Sequence, residues 1–180
     1  MEKITKVYDV YEFEELDEEI KQKLIEEEKQ QQKEFYLDNF LIEDMQDKSI
    51  ELLKKYFGKN ATFKNVYYSL AYCQGDGAII EFDLYYYNKF VKIRHKGHYY
   101  NKYSFIIDDI DTYSNYLTEK QEKQLKEKII KMNDELEKYG WQLVDYEISD
   151  NEAIEFLKEF NYLKNGEVFW WIKKNYKQES

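Results

Sequence analysis

Residues 78–95 read AIIEFDLYYYNKFVKIRH, and this stretch decides the fold. Ile80, Phe82 and Leu84 alternate with polar or amphipathic residues. Further along the chain, Val91 and Ile93 show the same period of two residues. A period of two in a segment rich in β-branched and aromatic residues is typical of strands with one buried face. The break at about Asn88–Lys89 therefore predicts a turn between two antiparallel strands.

The segments on either side extend this pattern. Residues 61–73, ATFKNVYYSLAYC, alternate in the same way, and residues 98–108, HYYNKYSFIID, form a further β-rich run. Turn residues separate these runs at Gln74–Gly77 and at Lys96-Gly97. Residues 61–107 are thus predicted to form a four-stranded antiparallel meander.

Helical periodicity dominates the rest of the chain. Asp17 is a suitable N-cap for a helix whose apolar stripe is Ile20, Leu24 and Ile25, with a bend or break expected at the glutamines 30–32. Further helices are predicted over 35–57, 118–140 (ended by Gly140) and 150–160, and strands over 4–13 and after the Asn165-Gly166 turn, with 141–149 a short strand or an extended connection. The fold class is α+β, with an antiparallel meander sheet of about four to six strands packed against three to four helices.

Length and composition set the broad class. At 180 residues and 43% hydrophobic content, the chain is predicted to be a single domain over 1–180. Its one cysteine, Cys73, cannot form an internal disulfide, which fits a reducing cytoplasm. No secretory signal and no run long enough to span a membrane is recognised, so no membrane partner is expected.

The charge balance bears on partners. There are 37 acidic and 27 basic residues, a net charge of −10, so direct DNA binding through a basic stripe is not expected. The acidic runs are ordinarily solvated faces, and the alternative is a mimic of nucleic-acid charge. The predicted acidic surface comprises Glu14, Glu15, Glu18, Glu19, Asp108, Asp109 and Asp111. Nineteen tyrosines add side chains favoured at protein interfaces.

The QGDG stretch, residues 74–77, raises a separate question. Its two glycines permit positive φ, so the simpler interpretation is a hairpin turn. In a meander, the first and third turns lie at the same end of the sheet, which brings this turn toward the only two histidines, His95 and His98. The candidate binding residues are Gln74, Gly75, Asp76, Gly77, His95, Lys96, His98, Tyr99 and Tyr100, and the candidate catalytic residues are Asp76, His95 and His98.

Several chemistries suit such a cluster. Two histidines with an aspartate are able to hold a metal or form an acid–base pair, and turn amides are able to bind an anion. Against this, His95 continues the apolar face of Val91 and Ile93, where a histidine is more often a hydrogen-bonded core residue. No phosphate-binding loop, nucleophile motif or metal-spaced cluster is recognised. No metal site or cofactor is therefore assigned, and the question of enzyme activity is left open, leaning towards none.

Four segments resemble a group of small bacteriophage proteins, sometimes described as antitoxin-like. These are VYDVYEFEELDEEIKQKLIEE at 7–27, AYCQGDGA at 71–78, HKGHYYN at 95–101 and YLKNG at 162–166. The chain departs from that pattern at Cys73, where Ser is usual, at Asn101, where His is common, and at Asn165, where Asp is common. The resemblance implies a viral origin and a place in the host cytoplasm, and it confers no established activity.

The leading expectation is a phage-encoded acidic binding protein. It would inhibit a host defence system, in the manner of an anti-CRISPR protein, by occupying a basic surface of a nuclease, effector complex or ribonucleoprotein. One alternative is an enzyme or ligand-binding module with a polar or metal site at the QGDG and HKGH turns. Another is an antitoxin-like partner of a basic toxin. The oligomeric state does not follow from the sequence.

Overall fold

The computed structural model describes residues 7–109 and 117–169, which fall into two compact units. The first unit is formed by 1–36 with 147–180, and the second by 37–146. The helices are α1 (Glu18–Asn39), α2 (Leu41–Phe57), α3 (Glu119–Val144) and α4 (Asp150–Leu157), and the strands are β1 (Ala61–Ser69), β2 (Gly77–Tyr86), β3 (Lys89–His95) and β4 (Phe105–Asp109). The α+β class is confirmed, while one domain over 1–180 stays a prediction.

The second unit is built on the predicted meander. Its strands follow the order β1-β2-β3-β4 and every neighbouring pair is antiparallel. Between β2 and β3 the chain reverses in two residues, Tyr87 and Asn88, with φ of 50° and 61°. This is the left-handed backbone that a tight hairpin with strand-matching twist requires, and it lies one residue before the predicted turn.

One face of the sheet packs on α2 and α3, and the predicted alternation is confirmed there. Ile80, Phe82 and Leu84 of β2 and Val91 and Ile93 of β3 are at most 1% exposed. They join the apolar stripes of the two helices in one cluster, whose members include Met45, Leu52, Leu125, Ile129, Met132 and Leu136. Burying each such side chain contributes about 1.5–3 kcal/mol, so this layer holds the sheet and helices together.

Helix α3 is longer than the sequence predicts. The prediction that Gly140 ends the helix and that 141–149 is a strand or an extended connection is wrong for 141–144, because α3 continues to Val144. Gly140 is buried inside the helix, and a Cβ there would lie 2.8 Å from Leu70 Cδ1 and 3.2 Å from the Met45 thioether sulfur. The glycine therefore serves close packing between elements and does not terminate the helix.

Helix α1 runs without a break through the glutamines at 30–32, where a bend or break was predicted. Glutamine is a good helix former, and two of these side chains support the helix by bonding one turn away. Gln30 donates to Glu34 at 2.6 Å, and Gln32 donates to Glu28 at 2.8 Å. The break comes instead between Asn39 and Leu41, where α2 begins.

The first unit contains single bridges where strands were predicted. Of the predicted strand 4–13, the described residues form only a bridge between Tyr11 and Tyr162, and Phe13–Glu15 is a short 3₁₀ turn. Tyr162 also bridges Val168 around the predicted Asn165-Gly166 turn, so the last strand is reduced to one residue pair within the described part. The unit's apolar cluster is Phe13, Leu16, Ile25, Ala153, Leu157 and Tyr162.

Helix α4 begins as predicted and ends three residues early. Ser149 is its N-cap, and the Ser149 and Glu152 side chains form a reciprocal capping box. Across residues 7–109 and 117–169, the search for a helix long and apolar enough to cross a bilayer finds none.

Candidate functional site

The QGDG loop and the loop after β3 meet at one end of the sheet, as the meander topology predicts. The backbone N–H of Tyr100 donates to the Gly75 carbonyl at 2.9 Å. At Gly77, whose φ is +147°, a Cβ would lie 2.6 Å from the Tyr100 carbonyl oxygen. The glycine is thus required for the close approach of the two loops.

The Asp76 carboxylate is bound within its own loop. Its Oδ1 accepts from the Ser69 hydroxyl at 2.6 Å and from the Cys73 thiol at 3.0 Å. Its Oδ2 accepts from the backbone N–H groups of Ala71 and Cys73, both at 2.8 Å. Four donors occupy the two oxygens, which is the usual capacity of a carboxylate. The arrangement is that of an aspartate that organises a turn.

These hydrogen bonds shift the pKa values of Asp76 and Cys73. Donation from Ser69 and then Cys73 lowers the pKa of Asp76 to about 2. The same contact raises the pKa of the Cys73 thiol, because a thiolate beside a carboxylate is disfavoured. Asp76 is therefore a poor general base near neutral pH, and Cys73 is not activated as a nucleophile.

Tyr72 fastens the same loop to α3. Its φ is +55°, and its ring lies 4.4 Å from the ring of Trp141 between centroids. Its hydroxyl donates to the Asp145 carboxylate just after the end of α3, which raises the pKa of Tyr72. Asp76 thus binds groups within the loop, and Tyr72 binds the loop to α3.

His95 is placed differently from the sequence prediction. Its ring stacks between Tyr67 and Tyr100, with centroids 4.9 and 5.2 Å away, and does not join the core cluster with Val91 and Ile93. Tyr67 follows the core residue Val66, and successive side chains in a strand point to opposite faces. We therefore place the His95 ring on the face opposite the helices.

Side chains bind the backbone where the pairing between β2 and β3 ends. Backbone pairing between β2 and β3 stops at Phe82 and Ile93. From this point on, side chains form hydrogen bonds with the backbone groups. Glu81 accepts from the His95 N–H at 2.8 Å, while the Arg94 guanidinium donates to the Phe82 and Ile93 carbonyls. Nε2 of His95 lies 2.8 Å from the Tyr99 carbonyl oxygen, so this nitrogen carries the hydrogen.

The structure brings the loops together without joining the proposed catalytic side chains. Within the described part of the chain, no contact links Asp76 to His95 or His98, and His98 is exposed with no hydrogen bond or ion pair. The other predicted binding side chains, Gln74, Lys96 and Tyr99, line the exposed rim of the loops. No group of three or more His, Cys, Asp or Glu side chains among the described residues is placed to hold a metal ion.

The predicted acidic surface is divided between the units. Glu14, Glu15, Glu18 and Glu19 are exposed in the first unit, at the 3₁₀ turn and the start of α1. Asp108 is exposed on β4 of the second unit, Asp109 ends that strand, and Asp111 lies outside the described residues. These seven residues are therefore treated as two groups.

A groove in the first unit was not anticipated from the sequence. It has a volume of about 500 Å³ and lies between α1 and the chain from Phe156 to Val168. Glu28 lines it at only 8% exposure. The sequence holds a signal for this position, because the apolar stripe of Ile20 and Leu24 continues by one helical turn to Glu28.

The groove's buried tyrosine is equally informative. Tyr162 is fully buried, and its hydroxyl donates to the Leu157 carbonyl at 2.7 Å. Burial, followed by the negative charge of Glu28, raises the pKa of Tyr162 to about 12. The groove thus combines an apolar floor with a buried carboxylate.

Comparison with known proteins leaves the resemblance to phage proteins untested. The QGDG and HKGH segments do meet in space, but this geometry is compatible with a structural turn as well as with a site. Models of known protein families, curated proteins and solved structures yield no match to this chain.

Proposed function

We propose that this chain is a binding protein whose first unit presents an acidic surface to a basic partner. The observation that carries the proposal is the uneven distribution of charge. Residues 1–36 and 147–180 hold 19 acidic and 11 basic residues, whereas residues 37–146 hold 18 and 16. The first unit thus has a net charge of −8 and the larger second unit one of −2.

The acidic side chains of the first unit are weakly paired. Three ion pairs along α1 are long, with Lys21–Glu18 at 3.7 Å, Lys23–Glu27 at 3.6 Å and Lys29–Glu26 at 3.6 Å. Lys29–Asp150 at 2.9 Å and Lys158–Glu155 at 3.0 Å are shorter, and the carboxylate of each of these five pairs is at least half exposed. Exposed pairs of this kind contribute about 0–1 kcal/mol. Lysine or arginine side chains of a partner are able to replace these local contacts at little cost, which suits recognition of a basic surface.

More specifically, we propose that the partner is a nuclease, effector complex or ribonucleoprotein of a host defence system in the host cytoplasm. The chain would inhibit this partner by occupying its basic surface. The acidic surface and the resemblance to phage proteins support this form. A basic toxin would offer the same charge complementarity, so identification of the captured partner separates the two. The enzyme alternative gains nothing from Asp76, whose oxygens are occupied within its own loop.

The test is capture from host lysate at low salt, followed by binding of the purified partner at increasing salt. Glu19→Gln/Glu26→Gln/Glu27→Gln removes three exposed charges from the first unit, and Glu43→Gln/Glu119→Gln/Glu127→Gln removes three from the second. We expect a basic partner whose affinity falls with salt and falls further only with the first variant. A partner that is insensitive to salt, or equally weakened by both variants, contradicts the proposal.

Inhibition is measured separately. If the captured partner is a nuclease, addition of the wild-type chain should abolish its cleavage of nucleic acid, and the first variant should restore it. Capture without inhibition would retain the binding function and remove the inhibitor form.

A further inference from the structure

Glu28 occupies an unusual position in the groove of the first unit. It is 8% exposed, yet its only hydrogen bond within the described part of the chain comes from Gln32 Nε2, 2.8 Å from Oε1. An ionised carboxylate has room for about four donors. Taking a charge out of water without a partner is unfavourable, so a buried carboxylate with one neutral donor is poorly satisfied.

The neighbours of Glu28 do not supply the missing donors. The Tyr162 hydroxyl donates to the Leu157 carbonyl and is therefore engaged elsewhere. Lys23, the one basic residue lining the groove in the described part, has its ammonium 3.6 Å from Glu27 and no ion pair with Glu28. Glu28 thus lines the groove, and its Oε2 accepts no hydrogen bond from residues 7–109 or 117–169.

Apolar side chains from both sides of the groove contribute to its lining, beside polar ones such as Gln31 and Asn165. Ile20 and Leu24 of α1 form one wall, and Phe156, Phe160 and Val168 contribute the other. The Phe156 and Phe160 rings lie edge to face, with centroids 5.2 Å apart. The volume of about 500 Å³ exceeds that of one amino-acid side chain.

We propose that this groove binds an arginine side chain of the basic partner, with the guanidinium on Glu28 and the methylene stem along the apolar walls. This inference rests on the proposed function, because it names the contact by which the acidic unit recognises its partner. A guanidinium supplies several donors in a planar fork that matches a carboxylate.

Arginine suits this groove better than lysine. The guanidinium is more weakly hydrated than an ammonium, so its transfer into a half-enclosed groove costs less. It also stacks on aromatic rings, and Phe156 and Phe160 line the same groove as Glu28. The charge complementarity is local, since Glu28 and Glu167 line the groove with no ion pair from a described lysine.

The test uses the full chain and butylguanidinium, which reproduces the end of an arginine side chain. Butylurea is the neutral control, because it has nearly the same shape and lacks the charge. Methyl resonances of Leu24 and Val168 are followed by NMR during each titration. We expect saturable shifts with butylguanidinium and affinity at least about tenfold weaker for butylurea.

Two variants complete the design. Glu28→Gln keeps the size and the acceptor for Gln32 while removing the charge, and we expect it to weaken butylguanidinium binding at least tenfold. Glu34→Gln makes the same charge change on an exposed residue of the same helix and should leave the affinity unchanged. Circular dichroism confirms that both variants keep the helical content of the wild type.

Three outcomes would overturn the inference: no saturable shift, equal binding of butylurea, or no effect of Glu28→Gln. Contacts between the Leu24 methyls and residues 170–180 in the free chain would also overturn it, because the groove would then be filled from within. The experiment needs no partner protein. Groove binding without capture from lysate would therefore contradict the proposed function alone, and capture without groove binding would contradict this inference alone.

Discussion

The Ser69 hydroxyl donates a 2.6 Å hydrogen bond to Asp76 Oδ1, joining the last residue of β1 to the loop that leads into β2. With the Ala71 and Cys73 amides on Oδ2, this bond turns the QGDG segment into a closed loop. The carboxylate of the motif that most resembles a catalytic signature in the sequence is thus bound by donors of its own loop. Its contribution should be visible in stability as a function of pH.

We expect Asp76→Asn to destabilise the protein by about 1 kcal/mol at pH 6, a value reduced from the pKa shift because the loop is partly exposed to solvent. The folded-state pKa of about 2 lies below the ordinary 3.8, so the ionised carboxylate stabilises the fold above about pH 4. This stabilisation is lost as the pH falls from 4 toward 2. Urea unfolding of both proteins between pH 6 and pH 3 should show the difference in unfolding free energy shrinking.

Asp47→Asn is the matched control for this experiment. Asp47 is exposed on α2, and its substitution makes the same change in charge without removing a loop acceptor. Its effect on the unfolding free energy should be small at every pH. A difference between wild type and Asp76→Asn that stays constant from pH 6 to pH 3 would show that the carboxylate has no special stabilising role.

A comparison of Gly77 with Gly97 distinguishes the effect of close packing from that of backbone strain. Both have positive φ, +147° and +67°, but a Cβ at Gly77 would meet the Tyr100 carbonyl oxygen at 2.6 Å while one at Gly97 would meet nothing within 4 Å. Gly97→Ala should therefore cost about 1–2 kcal/mol, the cost of a left-handed non-glycine residue. Gly77→Ala should cost clearly more, because the two loops must also move apart.

Thermal unfolding and NMR distinguish the two glycine variants. Gly77→Ala should lower the melting temperature more than Gly97→Ala and should shift the Tyr100 amide, which donates to Gly75. Equal losses of stability with an unmoved Tyr100 amide would mean that the loops are not in contact in solution.

Local periodicity was sufficient to predict the four-stranded meander, although residues 70–73 and 98–104 of the predicted β-rich runs lie in loops. The alternation of Ile80, Phe82 and Leu84 requires one buried face, and turn residues at the ends of each run leave few alternatives to a meander. The same reasoning failed at Gly140, since a glycine near the end of a helical pattern is usually a terminator. Only the close approach of Leu70 and Met45 explains a glycine inside α3, and such a contact is invisible in local sequence.

Some features of the candidate site could likewise be predicted from the sequence and others could not. The meeting of the QGDG and HKGH loops follows from topology and was predictable. The ring position of His95 was not, because alternation along β3 predicts the core face while the ring stacks on Tyr67 and Tyr100. The groove was missed because Glu28 sits in a run of three glutamates that resembles a solvated face, although its helical position continues the Ile20 and Leu24 stripe.

Asn133 connects α3 to both the sheet and the loop after β3. It is fully buried, its Oδ1 accepts from the Ile80 N–H at 3.3 Å, and its Nδ2 donates to the Lys102 carbonyl at 3.5 Å. Asn133→Leu preserves the volume but leaves the Ile80 N–H buried without this acceptor. The expected loss is about 1–3 kcal/mol in the free energy of unfolding, the cost of an unsatisfied buried polar group.

Glu127→Leu on the exposed face of α3 is the control for Asn133→Leu, because both place the same side chain on the same helix. We expect its unfolding free energy to stay within about 0.5 kcal/mol of the wild type. Hydrogen exchange adds a local readout. The Ile80 amide should exchange faster in Asn133→Leu than in the wild type, and at the wild-type rate in Glu127→Leu. If Asn133→Leu left both the urea midpoint and the Ile80 exchange rate unchanged, the hydrogen bond from the Ile80 N–H to Asn133 would not be what holds this part of β2 against α3.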